Sequence, residues 1–104
     1  MKITASQTDG VSSIKIEGDL VIGGVAEAKP ELVAVLAQGG DVFLDLSEVG
    51  GCDTAGIQLL LMARISAKSR GGKISVIAQS PSFRTALERV GISARCFEDE
   101  EGTH

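Results

Sequence analysis

The sequence predicts a single α/β domain: a mixed sheet of about five strands, mostly parallel with an antiparallel N-terminal edge, packed with three to four helices. Three observations predict it. Residues 42–46 and 74–78 are apolar at nearly every position, as strands covered on both faces are. The stretches around them carry helix-forming residues bounded by glycine and proline. After an opening pair of strands the two patterns alternate, which implies right-handed crossovers and parallel pairing. A chain of 104 residues holds one such core and not two, so residues 1–104 are read as one domain.

Residues 1–6 read as the first strand, and Asp9-Gly10 as a hairpin turn. In residues 11–17, Ile14 and Ile16 alternate with polar side chains, the pattern of a half-buried strand. Gly18-Asp19 turns the chain, residues 20–22 continue extended, and Gly23-Gly24 breaks the pattern. A first helix is expected over residues 25–38. Pro30 is placed in its first turns, where a missing N–H costs least, and Ala28, Leu32, Val35 and Leu36 share one face. Gly39-Gly40 stops it. The strand at 41–46 follows, then a link over 47–52. A long helix runs from Thr54 to about Arg70 and closes at Gly71-Gly72. After the strand at 73–78, Ser80 can cap a third helix. Pro81 suits its first turn, and Phe83, Leu87 and Val90 line one face before Gly91 ends it. Residues 94–97 make a last short strand. The tail, 98–104, is acidic and expected to be disordered.

Composition narrows the function. Hydrophobic residues make up 43% and aromatics 3%, with no Trp or Tyr, so the core is aliphatic. Base-stacking nucleic-acid binders use aromatics on a basic surface. A chain with few aromatics and a formal charge of -4 fits neither that role nor docking on an anionic membrane. Apolar runs such as 59–63 fall far short of the roughly 20 residues of a spanning helix. The N-terminus lacks the basic-then-apolar run of a signal peptide, and a cytoplasmic protein is expected. Cys52 and Cys96 stand in no metal-ligand spacing and read as reduced, buried thiols. A helix start just after Cys52 would lower its pKa, but no basic neighbour supports a reactive thiol. The single histidine is the terminal His104. With no Cys–His pair, no metal cluster and no phosphate-binding glycine loop, neither an enzyme nor a cofactor is expected.

The residues that carry a signal are Asp45, Ser47, Asp53, Thr54 and Gly56, which flank one strand and the start of the next helix. Parallel sheets place binding sites at the carboxyl ends of their strands. Asp45, a carboxylate in an apolar strand, reads as an acceptor for backbone groups in the following link. Asp53 or Thr54 can cap the helix, a contribution of roughly 1 kcal/mol. Gly56 in the first turn weakens the helix by about 1 kcal/mol relative to Ala, and it leaves a bare surface by which another backbone or a kinase can approach Thr54. Along this helix Ala55, Leu59, Met62 and Ala63 form one apolar stripe. Ile57, Leu61 and Ile65 form another, beside Arg64 and Lys68. A surface helix normally has one apolar face, so the second stripe is either buried or a partner surface. The sequence leaves open which of the two faces the core.

Residues 42–61 read V-F-L-D-L-S-E-V-G-G-C-D-T-A-G-I-Q-L-L-L. This resembles the signature of STAS domains: an apolar strand ending D-L-S, a short link, then D-S/T-x-G and an apolar residue opening a helix. The later S-V-I-A-Q-S-P-S-F-R-T-A-L-E-R-V-G-I and the turn Gly18-Asp19-Leu20 are similar to the same family. The resemblance spans essentially the whole chain. It implies an anti-sigma-factor antagonist that acts by binding and is phosphorylated at Thr54. The implied partner is a GHKL-type serine/threonine kinase that is also the anti-sigma factor, and ATP belongs to that partner. The implied partner-binding residues are Asp53, Thr54, Ala55, Gly56, Ile57 and Leu61, with Asp45 and Ser47. The departures are Thr54 where the best-known antagonists have Ser, and Ala55 after it. D-T-A-G is also similar to small STAS subunits of lipid-transport ABC systems and of some chemotaxis clusters, which imply a constitutive adaptor.

Overall fold

The computed structural model describes residues 1–92. Asp9 and Gly10 both take positive φ, 53° and 78°, the geometry of a tight hairpin turn. They join β1 (Lys2–Thr8) to β2 (Val11–Leu20) in an antiparallel register from Lys2↔Glu17 to Thr8↔Val11. Helix α1 (Ile22–Leu36) leads to β3 (Asp41–Cys52), α2 (Thr54–Ser69) to β4 (Ile74–Gln79), and α3 (Pro81–Arg89) follows. The strand order is β1-β2-β3-β4. β3 lies parallel to β2 on one side and to β4 on the other, so the strands at 42–46 and 74–78 are adjacent and parallel.

One sheet face carries the core. Ile14, Ile16 and Leu20 of β2 and Val42, Leu44 and Leu46 of β3 are at most 2% exposed. Their strand neighbours Lys15, Phe43 and Asp45 are half-buried. β3 therefore alternates instead of being covered equally on both faces. The helices close over it with Leu32 and Leu36 from α1, Ile57, Leu60 and Ala63 from α2, and Phe83 and Leu87 from α3. Each large aliphatic side chain so buried is worth roughly 1.5–3 kcal/mol.

Four details differ from the sequence reading. The described residues contain four strands; the expected strand at 94–97, Cys96 and the tail at 98–104 lie outside them. Residues 47–52 are not a link but the second half of β3, which pairs with Glu17, Gly18 and Leu20 through register shifts. α1 begins at Ile22, so Gly23 and Gly24 form its first turn. The signal was misread because the N-cap, Val21, makes no side-chain cap. The earlier start puts Pro30 inside the helix, where it removes the bond to the Ala26 carbonyl; both residues are exposed, so water can replace that bond. Finally, Val90 lies after α3 and is 38% exposed, while Ala86 joins Phe83 and Leu87 on the buried face.

Candidate functional site at the start of α2

The ends of β2 and β3 converge where α2 begins. Leu20 and Cys52 are register partners, and the Asp53 N–H donates to the Leu20 carbonyl at 3.2 Å. One residue earlier, Asp19 Oδ1 accepts the Gly51 N–H at 2.7 Å. A Cβ on Gly50 would stand 2.6 Å from that same Oδ1, so the bare residue lets the two segments close. Sequence reasoning used Gly18-Asp19 only as a turn and missed that Asp19 pins the approach to the site. A carboxylate directly after Gly18, which lies within β2 at a register shift and not in a turn, was the available signal.

Asp53 is the N-cap of α2, in extended conformation (φ -119°, ψ -173°). Its Oδ1 accepts from the N–H of Ala55 at 2.9 Å and of Gly56 at 3.2 Å. The two cap candidates are thus resolved: Asp53 caps, and Thr54 is the first helical residue, exposed. Among the described residues the Thr54 hydroxyl is in no hydrogen bond that would occupy it with the cap.

Gly56 is buried. A Cβ there would lie 2.9 Å from Leu20 Cβ and 3.1 Å from Cys52 Sγ, and closer still to the Leu20 carbonyl oxygen. The backbone that approaches Gly56 is this chain's own, which corrects its reading as a bare surface for a partner. Ile57, expected on the partner surface, is 1% exposed and packs in the core. The core face of α2 draws on both expected stripes: Ile57 from one, Leu59 and Ala63 from the other, together with Leu60 and Ala67. The outward line runs from Thr54 through Gln58, half-buried Leu61 and Met62 to Ile65, with Ala55 half-buried beside it. Ile22, two residues beyond Leu20, is 77% exposed. Sequence reasoning missed it because it placed Ile22 in a strand.

Asp45 and Ser47 do not join this cluster. Asp45 Oδ1 accepts the Ser47 N–H at 2.9 Å and the Ser47 hydroxyl at 2.6 Å. These two bonds lower the Asp45 pKa, with help from the Lys15 charge and against burial. Asp45 thus has its expected local role. At about 3.3 Å per strand residue, the path from Asp45 to Cys52 covers roughly 20 Å, so the pair is remote from Thr54.

The Cys52 thiol is pushed up from 9.0 to about 11, first by burial and then by the Asp53 charge. It stays protonated, so the helix start does not activate it. Between α2 and α3 a cleft of about 150 Å³ is lined by Cys52, Asp53, Thr54, Ala86, Arg89 and Val90. A second, of about 320 Å³, is lined by Gly51, Cys52, Pro81, Ser82, Thr85 and Arg89. Arg89 and Cys52 border both. Arg89 was absent from the expected site residues, because nothing in the sequence tells that the end of α3 reaches the start of α2.

The comparisons with known proteins agree with this architecture. A family model described as "Mlab, STAS domain" matches residues 3–96. An anti-sigma factor antagonist from Mycobacterium paratuberculosis superposes with a TM-score of 0.75 at 22% identity, over 86% of this chain and 77% of that one. The anti-sigma factor antagonist SpoIIAA in its unphosphorylated form gives 0.72 at 17% identity, over 88% and 82%. The Bacillus cell fate determinant SpoIIAA in the phosphorylated form gives 0.66 at 17%, over 88% and 85%. At these identities the likeness is one of fold. Among curated proteins, none matches the chain in sequence.

Proposed function

The chain belongs to the STAS domain family, and on that premise we propose that it is a phospho-switchable partner-binding module of the anti-sigma-factor-antagonist type, acting by binding and not by catalysis. The proposed partner is a GHKL-type serine/threonine kinase that is itself an anti-sigma factor, and the proposed setting is the bacterial cytoplasm. Nucleic acid and direct membrane insertion are not part of the reading; no helix of the described residues is long and apolar enough to cross a membrane.

The observation that carries it is the division of labour at the helix start. Asp53 makes the cap, and Thr54 is exposed with its hydroxyl left over for chemistry. In the transfer, the Thr54 oxygen forms the new bond to the γ-phosphorus of ATP, the bond to ADP breaks, and the hydroxyl proton passes to a base of the kinase. The product carries about -1.5 to -2 charges beside the Asp53 carboxylate. A partner covering Thr54, Gln58 and Leu61 would have to desolvate that charge and would release. The test is isolation of the partner from the native cell, followed by incubation with ATP and mass spectrometry. One phosphate on the wild type and none on Thr54→Ala supports the switch; a wild type without phosphate overturns it.

A second reading, the constitutive adaptor subunit of a lipid-transport ABC complex or chemotaxis cluster, has its own support. Ile65, 67% exposed, lies eleven residues along α2 from Thr54, roughly 16 Å at 1.5 Å per residue. A partner seated on Met62 and Ile65 would be indifferent to phosphate at the other end. Tight binding by Thr54→Glu selects this reading.

A further inference from the structure

We propose that Arg89 is the internal receptor for a phosphate carried on Thr54. The inference rests on the switch reading above and adds the residue that would hold the modified state.

A helix start ordinarily offers an anion its free N–H groups. Here the Asp53 carboxylate already takes those of Ala55 and Gly56. A phosphate on Thr54 therefore arrives beside a negative charge, with two of the first-turn donors engaged. The cleft it would enter has six lining residues, and one of them is a cation: Arg89. The other ionisable side chains at the helix start, Cys52, Asp53 and Asp19, supply no positive charge. Cys52 stays a neutral thiol, Asp53 is spent on the cap, and Asp19 holds the Gly51 N–H. The start of α1, residues 21–26, has no ionisable side chain.

Arg89 is suited to the task. It is exposed at the end of α3, and among the described residues it makes no ion pair that would have to break. Its guanidinium presents a planar fork of donors that meets phosphate oxygens in pairs. It borders the second cleft as well, where Ser82 and Thr85 add hydroxyls. Closing over the phosphate, Arg89 would neutralise half of the new charge and join α3 to the start of α2, two elements that only touch in the unmodified chain.

The test installs phosphothreonine at position 54 of the full chain by genetic encoding, so that no kinase is needed. The second ionisation of the phosphate is then followed by phosphorus NMR. An opposite charge at contact distance lowers a pKa by about one unit or more. In wild type the titration should fall about one unit below that of Arg89→Gln. Arg89→Lys should restore part of the difference. Arg84→Gln, which removes an exposed cation of the same helix outside both clefts, should match wild type. A purely structural contribution of Arg89 would appear in circular dichroism and not in the phosphate titration. Equal titrations in wild type and Arg89→Gln overturn the proposal. Failure of the kinase to modify Thr54 is a separate result, which overturns the switch reading and leaves the Arg89 comparison decisive on its own terms.

Discussion

The Leu20 carbonyl accepts the Asp53 amide at 3.2 Å, so the last residue of one strand holds the cap of the helix that begins with Thr54. The same carbonyl lies against Gly56. The position of Thr54 is set by backbone on both sides, and substitutions at Asp53 and Gly56 should act through capping and packing.

Gly56→Ala should destabilise the domain. In an open helix the change would stabilise by about 1 kcal/mol. Here the new methyl meets Leu20 and Cys52 at 2.9 and 3.1 Å, and such overpacking costs about 1–3 kcal/mol. Urea unfolding reads the sign directly, and a raised midpoint would refute the close approach.

Asp53→Ala should cost about 1 kcal/mol, the usual worth of an N-cap side chain, because the Ala55 and Gly56 N–H groups lose their acceptor. Asp53→Asn, which keeps the acceptor and removes the charge, should recover most of it. Equal losses in the two variants would show that charge matters more than the cap.

Leu44→Ala and Leu46→Ala each empty a position that is 0% exposed. Each should cost about 2–5 kcal/mol, a large part of the stability of a domain this size. Unchanged denaturant midpoints would contradict the placement of the core.

Cys52 gives a pH dependence. Its pKa in the fold, about 11, stands above its ordinary 9.0. The fold therefore favours the protonated thiol: its contribution is complete below about pH 9 and is lost as pH rises through about 11. Thermal melts of a Cys96→Ser chain should fall across that window, and melts of the Cys52→Ser, Cys96→Ser chain should fall less. Rapid alkylation of Cys52 at pH 7.5 would be inconsistent with a raised pKa.

Thr54→Glu should keep its circular dichroism spectrum, since Thr54 is exposed and a helix start tolerates negative charge. Its affinity for the kinase partner should drop about a hundredfold, equivalent to about 2.8 kcal/mol, while Thr54→Ala should bind like wild type. A titration by calorimetry separates these outcomes, and equal affinities would favour the adaptor reading.

Much of this was legible in the sequence, for definite reasons. Asp9-Gly10, Ser80-Pro81 and the glycines after α1 and α2 are local signals read by local chemistry, and each marks a turn or helix end within a residue or two of where it was expected. The helix start at Thr54 was legible because Asp53 is a strong cap. Errors arose where a local signal competed with a distant contact. Gly23, Gly24 and Gly56 look like breaks or bare surface in one dimension; in the fold, Gly24 and Gly56 are the points where the backbones of Asp19 and Leu20 come close. Ile57 was assigned to a partner and lies in the core, because the two stripes of α2 overlap and only packing against the sheet chooses between them. Arg89 had no sequence signal at all, since its relation to Thr54 exists only through the crossing of α3 over the end of β3.

The strand order has a consequence for how the protein is made. Each strand of the sheet β1-β2-β3-β4 after the first pairs with the one synthesised just before it, so its partner is already made when it leaves the ribosome. The β1–β2 hairpin closes over a short loop, whereas the parallel pairs join residues about thirty apart, such as Val11 and Asp41, and form more slowly; chains are produced N-terminus first. Asp19, Leu20, Asp53 and Gly56 are all available once the first turn of α2 has been translated. The backbone frame around Thr54 can therefore be shaped while the ribosome is still at work, and α3 with its end, which brings Ala86, Arg89 and Val90, arrives later and completes the rim.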